Sequence, residues 1–347
     1  MKLLRFHFSA PVHFGMSRIE YDRSESILHS DTLYAAIQQA WSMLGKPEWI
    51  DEEPDFALSS LFPFYRKKAD ETAVYFFPCL AGSGQPNSTQ PELSKIVRGL
   101  RFVDQTAFEQ LLHDGHLSVS DRANLLGEYY RSQPNVPEEV FMEKQVFARN
   151  RVPRFQEAGG ATETEIYYLE RVFFKDNSGL FCLFEGSEVA FNRVVAALRL
   201  LEDEGLGTDR HVGNGQFNLE IEDNFTIKLP ENAKYCLNLS LFCPPDPETI
   251  STMLSEGDTC VAYNLIKRGG WITNEPFLTY RKDSIYMFRE GSVFVRPNTE
   301  ASNGIFIKGI THNLSPSSLE LPEKRDVLHP IYRSGKSIFL PFNTQPS

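Results

Sequence analysis

The chain lacks most features that mark secretion, membrane insertion or metal binding. Its five cysteines (Cys79, Cys182, Cys236, Cys243 and Cys260) are an odd number and never form a Cys-x-x-Cys pair. That spacing argues against a disulfide framework and a zinc site, and points to free, buried thiols in a reducing cytoplasm. No run approaches the ~20 apolar residues of a membrane-spanning helix. The opening Met1-Lys2-Leu3-Leu4-Arg5-Phe6 carries charge inside its apolar stretch and is followed by no cleavage site, so it does not read as a signal peptide. Positive charge is scarce too. With 35 Lys and Arg against 46 Asp and Glu, the net charge is −11. Such a surface does not attract nucleic acid over its whole extent, which leaves only a local basic groove for that purpose.

Apolar residues make up 41% of the chain, and the 27 phenylalanines supply a large core. The length of 347 residues suits about two domains. The most distinctive stretch is Gly205-Leu206-Gly207-Thr208-Asp209-Arg210-His211-Val212-Gly213-Asn214-Gly215-Gln216-Phe217. Glycines permit close backbone approach, and successive amides in such a loop can form an anion-binding nest. Arg210 adds donors suited to phosphate. Before the loop, Phe191, Val194, Val195, Leu198 and Leu201 recur at helical spacing, with Ser187 as N-cap and Gly205 as stop. After it, Phe217, Leu219 and Ile221 alternate with polar residues as in a half-buried strand. Nucleotide-binding loops run strand, loop, helix, because the phosphate rests on the following helix. This one runs helix, loop, strand and has no Gly-Lys-Ser/Thr ending, which disfavours ATP and NAD. No cofactor and no metal are expected.

In chain order, residues 2–9 alternate as a first strand, and Leu33, Ile37, Ala40, Trp41 and Leu44 mark a helix that Ser30 or Asp31 can cap. Ile166–Phe174 and Leu180–Glu185 read as strands joined in a hairpin by Lys175-Asp176-Asn177-Ser178-Gly179. Setting aside 48–160 as an insertion leaves strand, helix, strand, strand, helix, strand, the ferredoxin-like order. The expected fold class is therefore α+β with antiparallel sheets. Residues 1–230 form a ferredoxin-like domain carrying the insertion, and 231–347 a degenerate second one. Within the insertion, the segment from Lys144 to Phe155 is locally basic, with Arg149, Arg151 and Arg154 among apolar residues.

Three stretches together resemble the RAMP superfamily of CRISPR proteins, most nearly the Csm subunit-four branch, the Cas5-like subunit of the type III-A effector complex. They are Leu28-His29-Ser30-Asp31-Thr32-Leu33-Tyr34, the glycine loop 205–217, and the C-terminal half with Arg268-Gly269-Gly270-Trp271-Ile272, Phe288-Arg289-Glu290-Gly291-Ser292-Val293-Phe294 and His329-Pro330-Ile331-Tyr332-Arg333-Ser334-Gly335-Lys336. The resemblance implies two ferredoxin-like domains whose cleft holds the 5′ handle of a guide RNA. It also implies contacts with a large polymerase-like subunit and a backbone RAMP subunit, with no catalysis and no membrane. It further implies a thumb hairpin, assigned here to Phe147 to Thr162.

Single-stranded RNA is held by phosphate contacts, 2′-hydroxyl bonds and stacking. The candidate RNA-binding residues are Ser30, Arg149, Arg151, Arg154, Gly205, Gly207, Arg210, His211, Gly213, Asn214 and Gly215. Arg18, Arg268, Gly270 and Trp271 are candidates for RNA or a partner interface. The alternative is a metal-independent endoribonuclease acting on repeat RNA, with His29 and His211, and also His13, as general acid or base.

Overall fold

A computed structural model describes residues 1–15, 21–68, 71–82, 85–133, 136–151, 165–255, 257–272, 281–297, 304–314 and 331–344. The first part of the chain runs β1 (Lys2–Phe8), α1 (Ser30–Met43), β2 (Phe56–Leu58), β3 (Phe62–Tyr65), β4 (Val74–Pro78), α2 (Pro91–Val97), β5 (Phe102–Asp104), α3 (Gln105–Asp114), β6 (Leu125–Leu126), β7 (Tyr129–Tyr130), β8 (Met142–Arg151), β9 (Glu165–Phe174), β10 (Ser178–Gly186), α4 (Glu188–Glu204) and β11 (Phe217–Glu222). The second part runs β12 (Tyr235–Asn238), α5 (Pro247–Leu254), β13 (Leu265–Arg268), β14 (Ile285–Phe288), β15 (Val293–Val295), β16 (Phe306–Lys308), β17 (Thr311–Asn313), β18 (Tyr332–Ser334) and β19 (Ser337–Phe342).

β10 is the axis of the main sheet. Its run Leu180-Phe181-Cys182-Leu183-Phe184 is fully buried, as a continuous apolar run of strand length demands. It pairs antiparallel with β1 on one edge and with β2 and β3 on the other, and β1 pairs antiparallel with β11. The sheet order is β11-β1-β10-β3-β4-β5-β7-β6, with β2 beside β10. Helices α1 and α4 bury Leu33, Ile37, Ala40 and Trp41 and Phe191, Val194, Leu198 and Leu201. The Trp41 indole donates to the Arg193 carbonyl at 2.7 Å, tying the two helices together. Ser187 caps α4 as expected, accepting from the Ala190 amide at 3.1 Å.

One strand expected from the sequence takes another place. β9 does not pair with β10; it pairs with β8 over ten residues, from Met142↔Phe174 to Arg151↔Glu165. The reason is competition. The wholly apolar β10 gains more by burying both edges against β1, β2 and β3, whereas β9 has a solvent-tolerant face on which Ile166 and Tyr168 are 65% and 57% exposed. Asn177, at φ +60, makes the anticipated turn, but the turn leads from the ribbon into the sheet. Consequently the edge of β10 opposite β1 is filled by β2 and β3, both of which lie inside the span expected to be an insertion.

The second part has a four-stranded antiparallel sheet in the order β15-β12-β19-β16, and Ala262 bridges Val293 on its outer edge. Asp246 caps α5 by accepting from the Thr249 amide at 2.6 Å. Packing does not break at the connection between β11 and β12. Leu237, Leu239, Val293, Ile338, Leu340 and Phe342 share one continuous core with Leu3, Phe62, Phe77 and Phe181. All five cysteines are free, with Cys182 and Cys236 buried.

Candidate nucleic-acid interface

The start of α1 is the joint between the two parts of the chain. His29 is the N-cap residue in backbone terms, with φ −66 and ψ 147, but its side chain caps nothing. Ser30 and Asp31, expected as caps, are the first helical residues, and both side chains face the second half. The Ser30 hydroxyl accepts from the Leu241 amide at 3.0 Å, and the Ser30 amide donates to the Ser60 hydroxyl at 2.9 Å. Ser30 is therefore bound to protein on both counts, which removes the reason for placing a phosphate there. The Asp31 carboxylate is fully buried and accepts from Arg268 and Arg333. Arg268 also donates to the Thr32 hydroxyl at 2.8 Å.

Beside this lies a second buried link. His29 Nδ1 is 2.7 Å from Glu290 Oε1, and the Ser60 hydroxyl donates to the same oxygen. Burial opposes ionisation of Glu290, but the charge and hydrogen bond of the imidazole and the Ser60 bond outweigh it, holding the carboxyl at about 2. It is thus a carboxylate, an acceptor only. His29 is 3% exposed, and its Nε2 has no hydrogen-bond partner among the described residues.

The glycine loop follows α4 and is folded against the segment Pro11–Phe14. The Thr208 amide donates to the His13 carbonyl at 2.9 Å, the Gly215 amide to the Pro11 carbonyl at 2.9 Å, and the Leu206 amide to the Gly215 carbonyl at 2.9 Å. The glycines serve this contact. At Gly207 (φ +96) a Cβ would lie 2.6 Å from the His13 carbonyl oxygen, and at Gly215 (φ +79) it would run into the Leu206 carbonyl. Close approach is needed here, as the sequence implied, but what approaches is the chain's own backbone. Asp209 at φ +60 then leads into a 3-10 turn, Arg210–Val212, closed by Gly213 at φ +84. The amides of Asp209, Arg210 and His211 make no hydrogen bond among the described residues. A left-handed residue followed by right-handed ones directs successive amides to one side, the geometry of an anion nest.

A cleft of about 250 Å³ opens where these parts meet. Gly205, Gly207, Thr208 and Arg210 form one wall; His29, Thr32 and Gln39 come from α1 and its N-cap; Arg268, Ile272, Lys282 and Tyr332 come from the second half. Arg210 is held at its rim by Gln39, Nη2 to Oε1 3.3 Å. Burial lowers the pKa of Lys282, and no carboxylate pairs with it among the described residues. Glu25 lies in the same cleft and is partly neutralised by Arg101 at 3.4 Å. Leu28, Ala36 and Ile331 make part of the lining apolar, so the cleft combines a greasy wall with cationic groups.

The structure brings Gly205, Gly207, Arg210, His29 and Arg268 together at the cleft, while Ser30 is taken up by protein. Asn214 is buried, with its amide nitrogen unpartnered among the described residues. His211 is exposed on the 3-10 turn and does not line the cleft. His13 is wholly buried, with Nδ1 2.7 Å from the Glu170 carbonyl. Gly270 (φ +126) precedes Trp271, which is half-buried, bridges Arg281 and lies under its guanidinium at 4.9 Å. On the ribbon, Arg149 and the unforeseen Arg171 are close enough to repel, and Asp209 is close enough to attract Arg171, so the ribbon's base adjoins the glycine loop. The Arg171 guanidinium also lies 5.5 Å from the Phe147 ring. The Arg151 side chain, Arg154 and Arg18 fall outside the described residues, as does the tip of the expected thumb. Lys282 and Arg171 carried no sequence signal, and Glu290 lay in a stretch that carried the resemblance without a role for the residue itself. Only their distant partners give them meaning.

An antiparallel α+β sheet, a glycine loop ahead of the strand that edges it, and a cleft lined by both halves of the chain are the features that the resemblance to the RAMP class implied. Residues 231–342 match the family described as the CRISPR Csm4 C-terminal domain. The chain is 26% identical over 307 residues to the CRISPR system Cms protein Csm4 of Thermococcus onnurineus, covering 86% of this chain and 93% of that one. It is 23% identical to its namesake from Methanocaldococcus jannaschii, covering 99% and 97%. Among solved structures it resembles a chain of a Csm3-Csm4 subcomplex of the type III-A CRISPR-Cas interference complex, with TM-score 0.61, 21% identity and coverage of 99% and 100%. It also resembles a chain of a Csm1-Csm4 cassette in complex with cA4, with TM-score 0.57, 17% identity and coverage of 100% and 99%. At these identities the structural likeness bears on the fold. Residues 231–342 thus fall in the Csm4 C-terminal domain family, and the chain along nearly its whole length is similar to Csm4 proteins.

Proposed function

We propose that this chain is a non-catalytic RNA-binding subunit of a type III-A CRISPR (Csm) effector complex. It grips the 5′ handle of the guide RNA and joins the large polymerase-like subunit to the backbone RAMP subunit in the cytoplasm. One observation carries the RNA part: both halves of the chain contribute to a single cleft that combines Arg210, Lys282 and an apolar wall, next to the loop that carries the unbonded amides of 209–211. That combination suits phosphate, sugar and base together. The remaining acidic surface then serves solubility and partner contacts. The partner assignments rest on the solved relatives, whose assemblies pair Csm4 with Csm3 and with Csm1.

The same reading treats the molecule as two ferredoxin-like halves. In the first, β1, β3, β10 and β11 stand in the spatial order fourth, first, third, second. In the second, β19, β12, β15 and the Ala262 bridge follow that sequence, with β16 added outside β19. The β8–β9 ribbon is the described part of the thumb.

The test is photo-crosslinking of labelled handle RNA within the assembled complex. Crosslinks to residues 205–215 and 282 are expected, and crosslinks confined to other subunits would overturn the RNA role. Native mass spectrometry of the co-purified assembly should show the large and backbone subunits travelling with this chain. The absence of catalysis is supported by the separation of His211 from the cleft that His29 lines. Purified chain incubated with repeat RNA and no metal should leave it intact; site-specific cleavage lost in His29→Ala would reverse that reading.

A further inference from the structure

The β8–β9 ribbon has a face that the cleft does not account for. Cross-strand pairing sets Gln145 opposite Arg171, Phe147 opposite Leu169 and Arg149 opposite Tyr167. Alternation along each strand puts all six on one side of the ribbon. Arg171 leans diagonally over Phe147, with its guanidinium 5.5 Å from the ring, and so toward Arg149. Neither guanidinium has an ion pair or a hydrogen bond among the described residues. Arg171 Nε is enclosed without a partner, whereas its two terminal nitrogens are not enclosed. Burial lowers the pKa of Arg171, the charge of Arg149 lowers it further, and Asp209 is the carboxylate that opposes them. Two like charges held this close repel, and an anion between them gains attraction from both. Thr208 and Arg210 line the cleft, while Asp209 between them, at φ +60, lies within reach of Arg171 instead. The glycine loop thus adjoins the cleft through one set of residues and the arginine pair through another.

We propose that Arg149 and Arg171 form a second anion seat, which holds one backbone phosphate of the RNA strand where it passes from the cleft over the glycine loop, and that Asp209 is the counter-ion this phosphate replaces. Guanidinium groups suit the task, because each presents parallel donors to two phosphate oxygens. Phe147 and Tyr167, both half-buried on the same face, set aromatic surface beside the charges. Cations interleaved with aromatics track single-stranded nucleic acid, whereas an acidic protein segment needs the charges alone. This inference rests on the RNA-binding reading above.

The experiment measures retention of synthetic handle RNAs by the whole assembled complex. Each RNA carries one neutral methylphosphonate linkage, moved along the strand. In the wild-type complex one linkage should lose about five- to tenfold in affinity. Arg149→Gln and Arg171→Gln should each weaken unmodified RNA, and each should shrink the penalty at that same linkage, because all three changes remove parts of one contact. Asp209→Asn, which suits the left-handed backbone equally well, should tighten unmodified RNA about two- to threefold, a gain that disappears when that linkage is neutral. The proposal is overturned if no linkage matters in the wild type, if the penalty is undiminished in both arginine variants, or if Asp209→Asn gains nothing. Unchanged RNA retention with loss of a partner subunit in Arg171→Gln also overturns it, and gives the seat to an acidic segment of that partner. The wild-type scan and Asp209→Asn decide even if an arginine variant fails to fold. Handle crosslinks at the cleft without an Arg171-coupled linkage would sink this inference alone, and no crosslinks there would sink the RNA-binding reading first.

Discussion

Arg268 grips Asp31 with two parallel bonds, Nε to Oδ2 at 2.9 Å and Nη2 to Oδ1 at 3.0 Å, so the second half of the chain holds the first turn of α1 in a fixed fork. Arg333 donates to the same carboxylate and also to the Gly269 carbonyl at 2.7 Å. The cleft inherits its geometry from this clamp, because His29 and Thr32 flank the gripped residue.

Removing the shared anion should therefore be costly. Asp31→Ala leaves two buried guanidinium groups facing each other without a carboxylate, and breaking a buried pair in this way costs about 3–5 kcal/mol. Denaturant unfolding of the purified chain measures it. A loss under about 1 kcal/mol would mean that water or rearrangement satisfies the arginines.

The two glycines that follow the 3-10 turn, Gly213 and Gly215, separate strain from crowding. Gly213 and Gly215 both have φ near +80, but a Cβ at Gly213 meets nothing within 4 Å, whereas one at Gly215 strikes the Leu206 carbonyl. Gly213→Ala should cost about 1 kcal/mol from the left-handed backbone alone. Gly215→Ala should cost clearly more, roughly 2–4 kcal/mol, because backbone must also move. Equal losses in thermal unfolding would show that the loop is not packed as described.

Glu290 gives a pH signature. Its carboxyl is held at about 2, below the ordinary glutamate value of ~4.3. A depressed folded value stabilises the protein above the unfolded pKa, and the contribution drains as pH falls toward the folded one. The stability difference between wild type and Glu290→Gln should be constant from neutral pH to about 5.5 and shrink between about pH 5 and 2. A difference that does not change across that window would mean that the carboxylate is not the stabilised species.

The sequence made the α4–loop–β11 unit legible, because its signals are local: helical spacing, a serine cap, a stopping glycine and strict alternation afterwards. It did not reveal what the glycines face. Their positive φ follows from composition, but the carbonyls of Pro11 and His13 lie about two hundred residues away in sequence and can be placed only by the fold. The β9–β10 expectation failed for a related reason. A turn at Asn177 is a local fact, while strand pairing is a contest among all available edges, and β10 won better partners. The roles of Lys282 and Glu290 were invisible for the same cause, since a charge within a local run of polar residues has no reading until its distant partners are known.

The basic segment from Lys144 to Phe155 should contribute to RNA affinity mainly through charge. Replacing Arg149, Arg151 and Arg154 with Ala should weaken guide retention and make the slope of log affinity against log salt less negative by about 2, at roughly 0.7 per single-strand phosphate contact. Lys282→Ala should change it by about 0.7. Titration of the assembled complex across salt concentrations reads both, and unchanged slopes would remove these residues from the interface.

The span of 261 residues between His29 and Glu290 also bears on timing. A growing chain emerges from the ribosome with the glycine loop and the start of α1 long before Glu290, Arg268, Lys282 and Arg333 exist. The cleft cannot form until these residues have been synthesised and have docked. A complete cleft is thus reserved for a chain whose two halves have already docked, and an interrupted translation product would carry the loop without the rest of the cleft.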